Sequence, residues 1–394
     1  PAVLVANGLD SAAAVSLARA VDATSGDELD RWRAVSKQLL TPKHPFGVHR
    51  AVHQHVFRDW NETRGPRPIW VPSPEEIEAS NLAQLMEGDY AAFHARSVAD
   101  PEWFWGCMLE RLGIATAAPV ERILDDAVGA EQARWLPSVR LNVVESIFNR
   151  GPEQLAIVRQ REGGELERFS LAELHADTLQ VARGLSAAGL ELGDAIAIDM
   201  PMTYDAIAIY LGIVALGGVV VSIADTFSAP EVATRLRTGN AKANFTQDVI
   251  VPGGKEIPLY ERVQEARQAL QQEVLAIVLP AREELSVWPM GKDLDWDSFL
   301  TDAMDVTQSD AIPLSDADAT TNVLFSSGTT GEPKAIPWTQ VTPIKAAADG
   351  WAHHDIHVGD VVCWPTNLGW MMGPWLIYAS LLNGATIALY EGTA

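Results

Sequence analysis

Between residues 195 and 279, short apolar runs alternate with helical patterns, and the interval between them leaves few folds open. The runs are 195–199, 219–223, 243–246 and 274–279. They are separated by a helix from Thr203, a helix opened by Ser228 and a helix over 259–271. The runs are apolar almost throughout, as expected of strands covered on both faces. Strand, helix, strand at this spacing calls for parallel crossovers, because a tight turn only returns the chain antiparallel. The expectation is an α/β fold of mostly parallel sheets flanked by helices. Just upstream, 155–159 and 166–169 read as a hairpin around Gly163-Gly164. Ser170 with Glu173, and Ser228 with Glu231, make capping boxes, and Gly189 stops the first helix.

The next strand-like run, Asn322-Val323-Leu324-Phe325, feeds a loop unlike the others. Ser326-Ser327-Gly328-Thr329-Thr330-Gly331-Glu332-Pro333-Lys334 holds four hydroxyls, two glycines, one proline and one lysine, and a second apolar stretch begins at Ala335-Ile336. Glycines allow positive φ, so successive N–H groups turn inward around an anion. The hydroxyls add short donors, and Lys334 adds a mobile point charge for phosphate oxygens. The composition suits a polyphosphate, although Ser/Thr/Gly clusters between periodic segments are often plain turns. The Gly-Lys-Ser/Thr ending of a Walker loop is missing, which sets aside a P-loop nucleotide hydrolase. Ligands in parallel sheets sit beyond the carboxyl ends of strands, and this loop follows one directly.

At 394 residues the chain is longer than one core usually supports, so two or more units are expected. Hydrophobic residues make up 47% and charged residues 21%, the balance of a soluble globular protein. A net charge of -23 argues against nucleic acid and anionic lipid as partners. Residues 206–224 carry no charge over a length that would span a bilayer, but Gly217-Gly218 divides them into a helix and the β-branched run Val219-Val220-Val221. Residues 361–390 are also uncharged and are broken by Pro365, Gly369, Gly373, Pro374 and Gly384. No transmembrane segment and no secretory leader is read. Cys107 and Cys363 form no metal or redox motif and fit a reducing compartment.

Residues 1–72 read as a helical N-terminal extension, with Ser11 capping one helix and another over 27–40, closed by the linker signal Gly65-Pro66-Arg67-Pro68. His49 and His53 would share a helical face; with no cysteine or carboxylate beside them they read as an interfacial pair, and no metal site is expected. A second unit, 73–150, opens with a capping box at Ser73-Pro74-Glu75-Glu76, and the α/β part occupies 151–394. Asp293, Asp295, Asp297, Asp316 and Asp318 lie in an acidic interruption, read as a solvated loop face rather than a Mg²⁺ site. Helices are expected over 341–352 and 375–382, and strands over 361–364 and 385–390.

The order Ser-Ser-Gly-Thr-Thr-Gly-x-Pro-Lys at 326–334 resembles the phosphate loop of the AMP-forming acyl-CoA synthetases, the adenylate-forming superfamily. Collinear likenesses run from about residue 75. Ser97, Asp100-Pro101-Glu102, Phe104 and Trp105, then Trp135, Leu141-Asn142 and Glu145, resemble the entry segment of acetyl-CoA synthetase-like enzymes. Ala215–Val221 resembles the superfamily's glycine-pair segment, and Thr366-Asn367-Leu368-Gly369-Trp370 its Thr-Ala-Asp-x-Gly-Trp segment. Residues 333–339 and 364–371 are most similar to plant-type peroxisomal acyl-activating enzymes.

The resemblance implies ATP-dependent activation of a carboxylic acid: attack on the α-phosphate of Mg·ATP gives acyl-AMP and pyrophosphate, and CoA then takes the acyl group. ATP, Mg²⁺ and CoA are the implied co-substrates, with a small-molecule carboxylate. Ser326, Ser327, Gly328, Thr329, Thr330 and Gly331 would cradle the phosphates, with Lys334 on the leaving pyrophosphate; Lys334 and Thr329 are the implied catalytic residues. Trp370, Met371 and Met372 fall at the acyl pocket, with aromatic core packing as the equal alternative. Met372 stands where a small threonine is common, implying a more apolar wall than acetate needs. Lys255 matches a CoA-contacting position, although Pro252 replaces a second expected arginine and a solvated surface lysine is the competing reading. Asn367, Pro374 and Trp338 depart from the family's aspartate, histidine and histidine. The family's adenine- and ribose-binding motifs, hinge and small lid domain are expected beyond Ala394. A truncated, catalytically silent subunit in a larger assembly is therefore the second reading. An intracellular, soluble location is expected, with peroxisome, cytoplasm and organelle matrix undistinguished.

Overall fold

The four apolar runs pair as parallel neighbours in one sheet. In chain order, the strands used below are β1 (Leu155–Arg161), β2 (Leu166–Ser170), β3 (Ala195–Asp199), β4 (Val219–Ile223), β5 (Ala241–Gln247), β6 (Leu275–Leu279), β7 (Leu294–Asp295), β8 (Thr320–Phe325), β9 (Ala335–Thr339), β10 (Val361–Cys363) and β11 (Thr386–Glu391). The seven-stranded sheet has the order β7-β6-β5-β3-β4-β8-β9, parallel except for the antiparallel edge strand β9. A four-stranded sheet, β10-β11-β1-β2, takes the expected hairpin as its β1-β2 edge and adds β11 and β10 in parallel. This computed structural model describes residues 1–251, 255–270, 273–304, 311–326 and 333–392. It divides into two compact units, Pro1–Leu85 and Met86–Ala394.

Successive side chains on β3 explain the unbroken apolar run. Ile196 and Ile198 face a core with Leu174, Val181 and Leu185 of one helix, Ile207 and Leu211 of the next, and Phe299. Ala197 faces the other side, against Val232, Ala233, Leu236 and Ala266. Both faces are dry, so period-2 alternation would be the wrong pattern. The helices are Leu171–Ala187, Tyr204–Leu216 and Trp296–Met304 on the first face, with Ala229–Thr238 and Leu259–Gln268 on the second. Ser170 and Ser228 form the capping boxes read from the sequence, and Gly217 ends its helix at φ 80 before β4. The uncharged stretch 206–224 is thus a buried helix and a buried strand. Among the described residues no helix is long and apolar enough to cross a membrane. Helix Tyr204–Leu216 and helix Met372–Leu381 are each buried nearly all round and meet through the rings of Tyr210 and Tyr378, whose centroids are 6.0 Å apart.

The first unit is helical: Ala2–Ala6, Ser11–Ala23, Glu28–Ala34, Phe46–Val56 and Pro74–Ala79. The cap of its second helix is Asp10, whose carboxylate accepts from Ala12 N and Ala13 N, and Ser11 is the first helical residue. An aspartate with two lone-pair directions toward the helix axis serves both amides, which the neighbouring hydroxyl does not. Ser73 and Glu76 cap Pro74–Ala79 reciprocally. Trp32 Nε1 donates to Ile69 O and Arg33 Nε to Pro72 O, which ties the Pro-rich segment back onto the helices. The ring nitrogens of His49 and His53 meet the carbonyls of Thr41 and Pro68.

The acidic interruption is less solvated than its composition implies. The Asp293 side chain is buried, and its carboxylate accepts from Tyr260 Oη (2.7 Å), Gln264 Nε2 (3.0 Å), Arg267 Nη1 (2.7 Å) and Ala276 N (3.0 Å). Asp295 accepts from Ser298 N at the start of helix Trp296–Met304. These acids pin the chain that crosses the edge of the sheet, a role that composition alone does not reveal. Asp293→Ala strands Arg267 and is expected to cost about 3–5 kcal/mol, read from urea unfolding at neutral pH. A loss below about 1 kcal/mol would contradict this account.

Candidate functional site

The carboxyl ends of β3, β4 and β8 lie side by side, because β4 pairs in parallel with both neighbours. Ser326 leaves the end of β8, and Lys334 precedes β9, so the Ser/Thr/Gly loop joins two antiparallel strands. Its base is closed by Ser326 N donating to Lys334 O (3.0 Å) and Lys334 N to Ser326 Oγ (3.4 Å). Lys334 is exposed, as are Ala335, Ile336 and Pro337 behind it, whereas Trp338 is buried. Ser327, Gly328, Thr329, Thr330 and Gly331 lie outside the described residues, as does Pro252. Lys255 is exposed ahead of the short pair Ile257–Pro258.

An aromatic line runs from this hairpin to the expected acyl-pocket residues. The Arg235 guanidinium lies 5.5 Å from the Phe325 ring and 3.8 Å from the Phe227 ring. Phe227 meets Trp370 edge-on, with centroids 5.9 Å apart. Arg235 itself is almost fully buried, and burial lowers its pKa while Glu231 opposes the shift. Trp370 and Met371 are about half exposed, and Met372 is partly buried against the main core. The indole packs against Phe227 on one side and the first thioether is largely open to solvent, while Met372 joins the main core.

A second, polar line joins the same elements, and sequence reasoning missed it. Arg262, from helix Leu259–Gln268, donates with Nη2 to Asp199 Oδ1 (3.0 Å) at the end of β3 and with Nη1 to the Asp225 carbonyl (2.7 Å) just past β4. The Asp225 carboxylate accepts from Asn367 Nδ2 (2.7 Å), and Asn367 Oδ1 accepts from Gly369 N (3.0 Å). Asp199 is fully buried, and among the described residues its Oδ2 meets no donor. The available signal was an acid ending each of two otherwise apolar strand regions, Asp199 and Asp225.

Burial pushes the Asp199 carboxyl up to about 7, with Asp225 adding to the shift and Arg262 opposing it. Asp225 moves up as well, chiefly through burial, against its bonds to Asn367 and the attraction of Arg262. A carboxyl raised in the folded state binds its proton when the unfolded chain has lost it. The stability it contributes is full below the ordinary value of 3.8 and is lost as pH rises to about 7. Asp199→Asn is expected to flatten that fall, by roughly 1 kcal/mol per pH unit at most across the window. Parallel pH dependences of unfolding free energy for wild type and variant would contradict it.

The profile of the AMP-binding enzyme family matches residues 144–394, and the chain belongs to that family. The acetyl-coenzyme A synthetase N-terminus profile matches 90–147, and that of the SAM domain of probable acyl-activating enzymes 17/18 matches 2–58. Among individual relatives, the hexanoyl-CoA synthase of Cannabis sativa is 44% identical over 92% of this chain and 53% of its own length. The probable acyl-activating enzyme 17, peroxisomal, of Arabidopsis thaliana is 42% identical over the same shares, 92% and 53%. In three dimensions the acetoacetyl-CoA synthetase from Streptomyces lividans matches with a TM-score of 0.76 at 30% identity, over 83% of this chain and 52% of that one. The chain spans about half the length of the curated relatives it matches.

Proposed function

We propose that this chain takes part in ATP-dependent activation of a carboxylic acid, first to acyl-AMP and then to acyl-CoA. The observation that carries the reading is the hairpin base at Ser326 and Lys334, set at the carboxyl end of a parallel strand in a chain of the AMP-binding enzyme family. In-line attack on an α-phosphate needs a fixed triphosphate and neutralised charge on the leaving pyrophosphate. Ser326, Ser327, Gly328, Thr329, Thr330 and Gly331 would supply donors for that, with Thr329 and Lys334 acting on the transferred and leaving groups. Mg²⁺ belongs to this reading as part of the Mg·ATP substrate, carried on phosphate oxygens.

Trp370, Met371 and Met372 would form one wall for the acyl chain. Two apolar thioethers beside an indole favour a chain longer than acetate, in keeping with the six-carbon substrate in one relative's name. Lys255 would meet a phosphate of CoA. The compartment fits the inside of a cell, with the peroxisome among the candidates since two relatives carry that word in their names. The test is carboxylate-dependent ATP–pyrophosphate exchange over straight-chain acids from two to twelve carbons (about 2–12, a range set by pocket sizes of this kind). Exchange that peaks at a medium chain supports the reading. Exchange absent with every acid overturns autonomous activation by this chain.

A further inference from the structure

Two carboxylates flank one guanidinium at the strand ends, yet only one of them uses it through a side-chain bond. Arg262 binds the Asp199 carboxylate but the main-chain carbonyl of Asp225. The Asp225 carboxylate is left for Asn367, and Asn367 has no choice of orientation: its amide donates to Asp225 while its carbonyl accepts from Gly369 N. The contact that follows admits no slack. A Cβ on Gly369 would fall within the backbone of Ala224 and 2.6 Å from the Ile223 carbonyl carbon, and one on Gly373 would fall on the Asn367 carbonyl. Gly369 is therefore seated backbone to backbone on the end of β4, Gly373 closes the segment back onto Asn367, and Asn367 is the side chain that ties the segment to Asp225.

We propose that Asp225 and Asn367, anchored through Arg262 to Asp199, form a latch that positions Trp370 and Met371 for the acyl chain beside the phosphate hairpin. This deepens the acyl-activation reading and rests on it for the role of Trp370, but the latch itself does not. Its logic is one of polarity. An aspartate at 367 could still accept from Gly369 N, but it would present a second carboxylate to Asp225 at hydrogen-bond distance, in a site where burial already disfavours charge. The amide at 367 and the acid at 225 are thus a matched pair, and the departure of Asn367 from the family's aspartate is compensated by Asp225. The four latch residues are positioning residues, because they act through the segment that carries Trp370 and Met371.

The test uses Asn367→Asp, Asp225→Asn and the double exchange Asp225→Asn/Asn367→Asp, which restores one donor and one acceptor with roles reversed. Two quantities are read: hydrogen–deuterium exchange of the peptide carrying the Gly369 amide, and KM for the carboxylate set against kcat in ATP–pyrophosphate exchange. Asn367→Asp is expected to speed exchange of that peptide roughly tenfold and to raise carboxylate KM by a similar factor, leaving KM for ATP unchanged. The double variant is expected to return both to within about twofold of wild type. If Asn367→Asp does not fold, recovery of a folded protein in the double variant supports the latch and failure to recover overturns it. Unchanged exchange in Asn367→Asp also overturns it, as does a double variant no better than the single. Faster exchange with unaltered carboxylate KM overturns the positioning role. Wild type without any carboxylate-dependent turnover overturns autonomous activation by this chain, and the exchange measurement then decides the latch alone.

Discussion

Lys334→Ala is expected to lower carboxylate-dependent pyrophosphate release by at least about 10²–10³-fold, the usual cost of removing one fixed charge or donor aimed at developing negative charge. The reason is positional. The Lys334 carbonyl accepts from Ser326 N, so its backbone is fixed at the neck of the hairpin while its side chain stays in open solvent. A lysine without work to do in this place would be a solvated ammonium whose loss changes nothing. Because the substitution leaves the hairpin neck in place, the variant is expected to unfold at the wild-type midpoint. Pyrophosphate release in the intact polypeptide separates the two cases: activity equal to wild type would remove Lys334 and the phosphate assignment together.

Gly369→Ala is the second large effect, and it acts on structure before chemistry. The added methyl meets backbone atoms of Ile223 and Ala224, which lead out of a central strand and have no free side-chain end to move aside. Overpacking a well-filled site costs about 1–3 kcal/mol, and backbone against backbone belongs at the upper end or above. The expected result is a thermal midpoint lower by several degrees, at roughly 2–4 °C per kcal/mol for a domain of this size. Gly151→Ala is the control, since a Cβ there meets nothing within 4 Å. Equal midpoints for the two variants would mean that Gly369 is not seated on the end of β4 as described.

Asp199→Asn and Asp293→Ala extend the same reasoning to buried acids with opposite surroundings. Asp293 has a donor for nearly every lone pair, so removing it leaves unpaired groups behind. Asp199 is fully buried and keeps one oxygen without a donor among the described residues, and burial, with Asp225 adding to it, pushes its carboxyl up despite Arg262. The two acids therefore differ in how many donors meet the buried carboxylate, four for Asp293 and one for Asp199 among the described residues.

Local order was legible in the sequence wherever a short-range rule governs it. The capping boxes at Ser73, Ser170 and Ser228, the glycine stop at Gly217 and the dry strands 195–199 and 219–223 each depend on residues within one turn or one strand. Asp10 displaced Ser11 as a cap because two neighbouring polar residues satisfy the same rule and geometry chooses between them. That the Ser/Thr/Gly loop follows a parallel strand directly was legible too, since an apolar run and the turn residues after it are short-range features. Pairing across long separations was not. Nothing in 386–391 announces that it runs parallel to 155–161, nor does an acidic stretch reveal which aspartate turns inward to meet Arg267. The latch is the clearest case: Asp199, Asp225, Arg262 and Asn367 span most of the α/β unit in sequence. Each is unremarkable in its own neighbourhood, and they acquire a role only when parallel strands end side by side. Sequence periodicity encodes which face of an element is dry; which polar groups share one buried corner is decided by the packing of those elements, because hydrogen-bond polarity is a property of the assembled site.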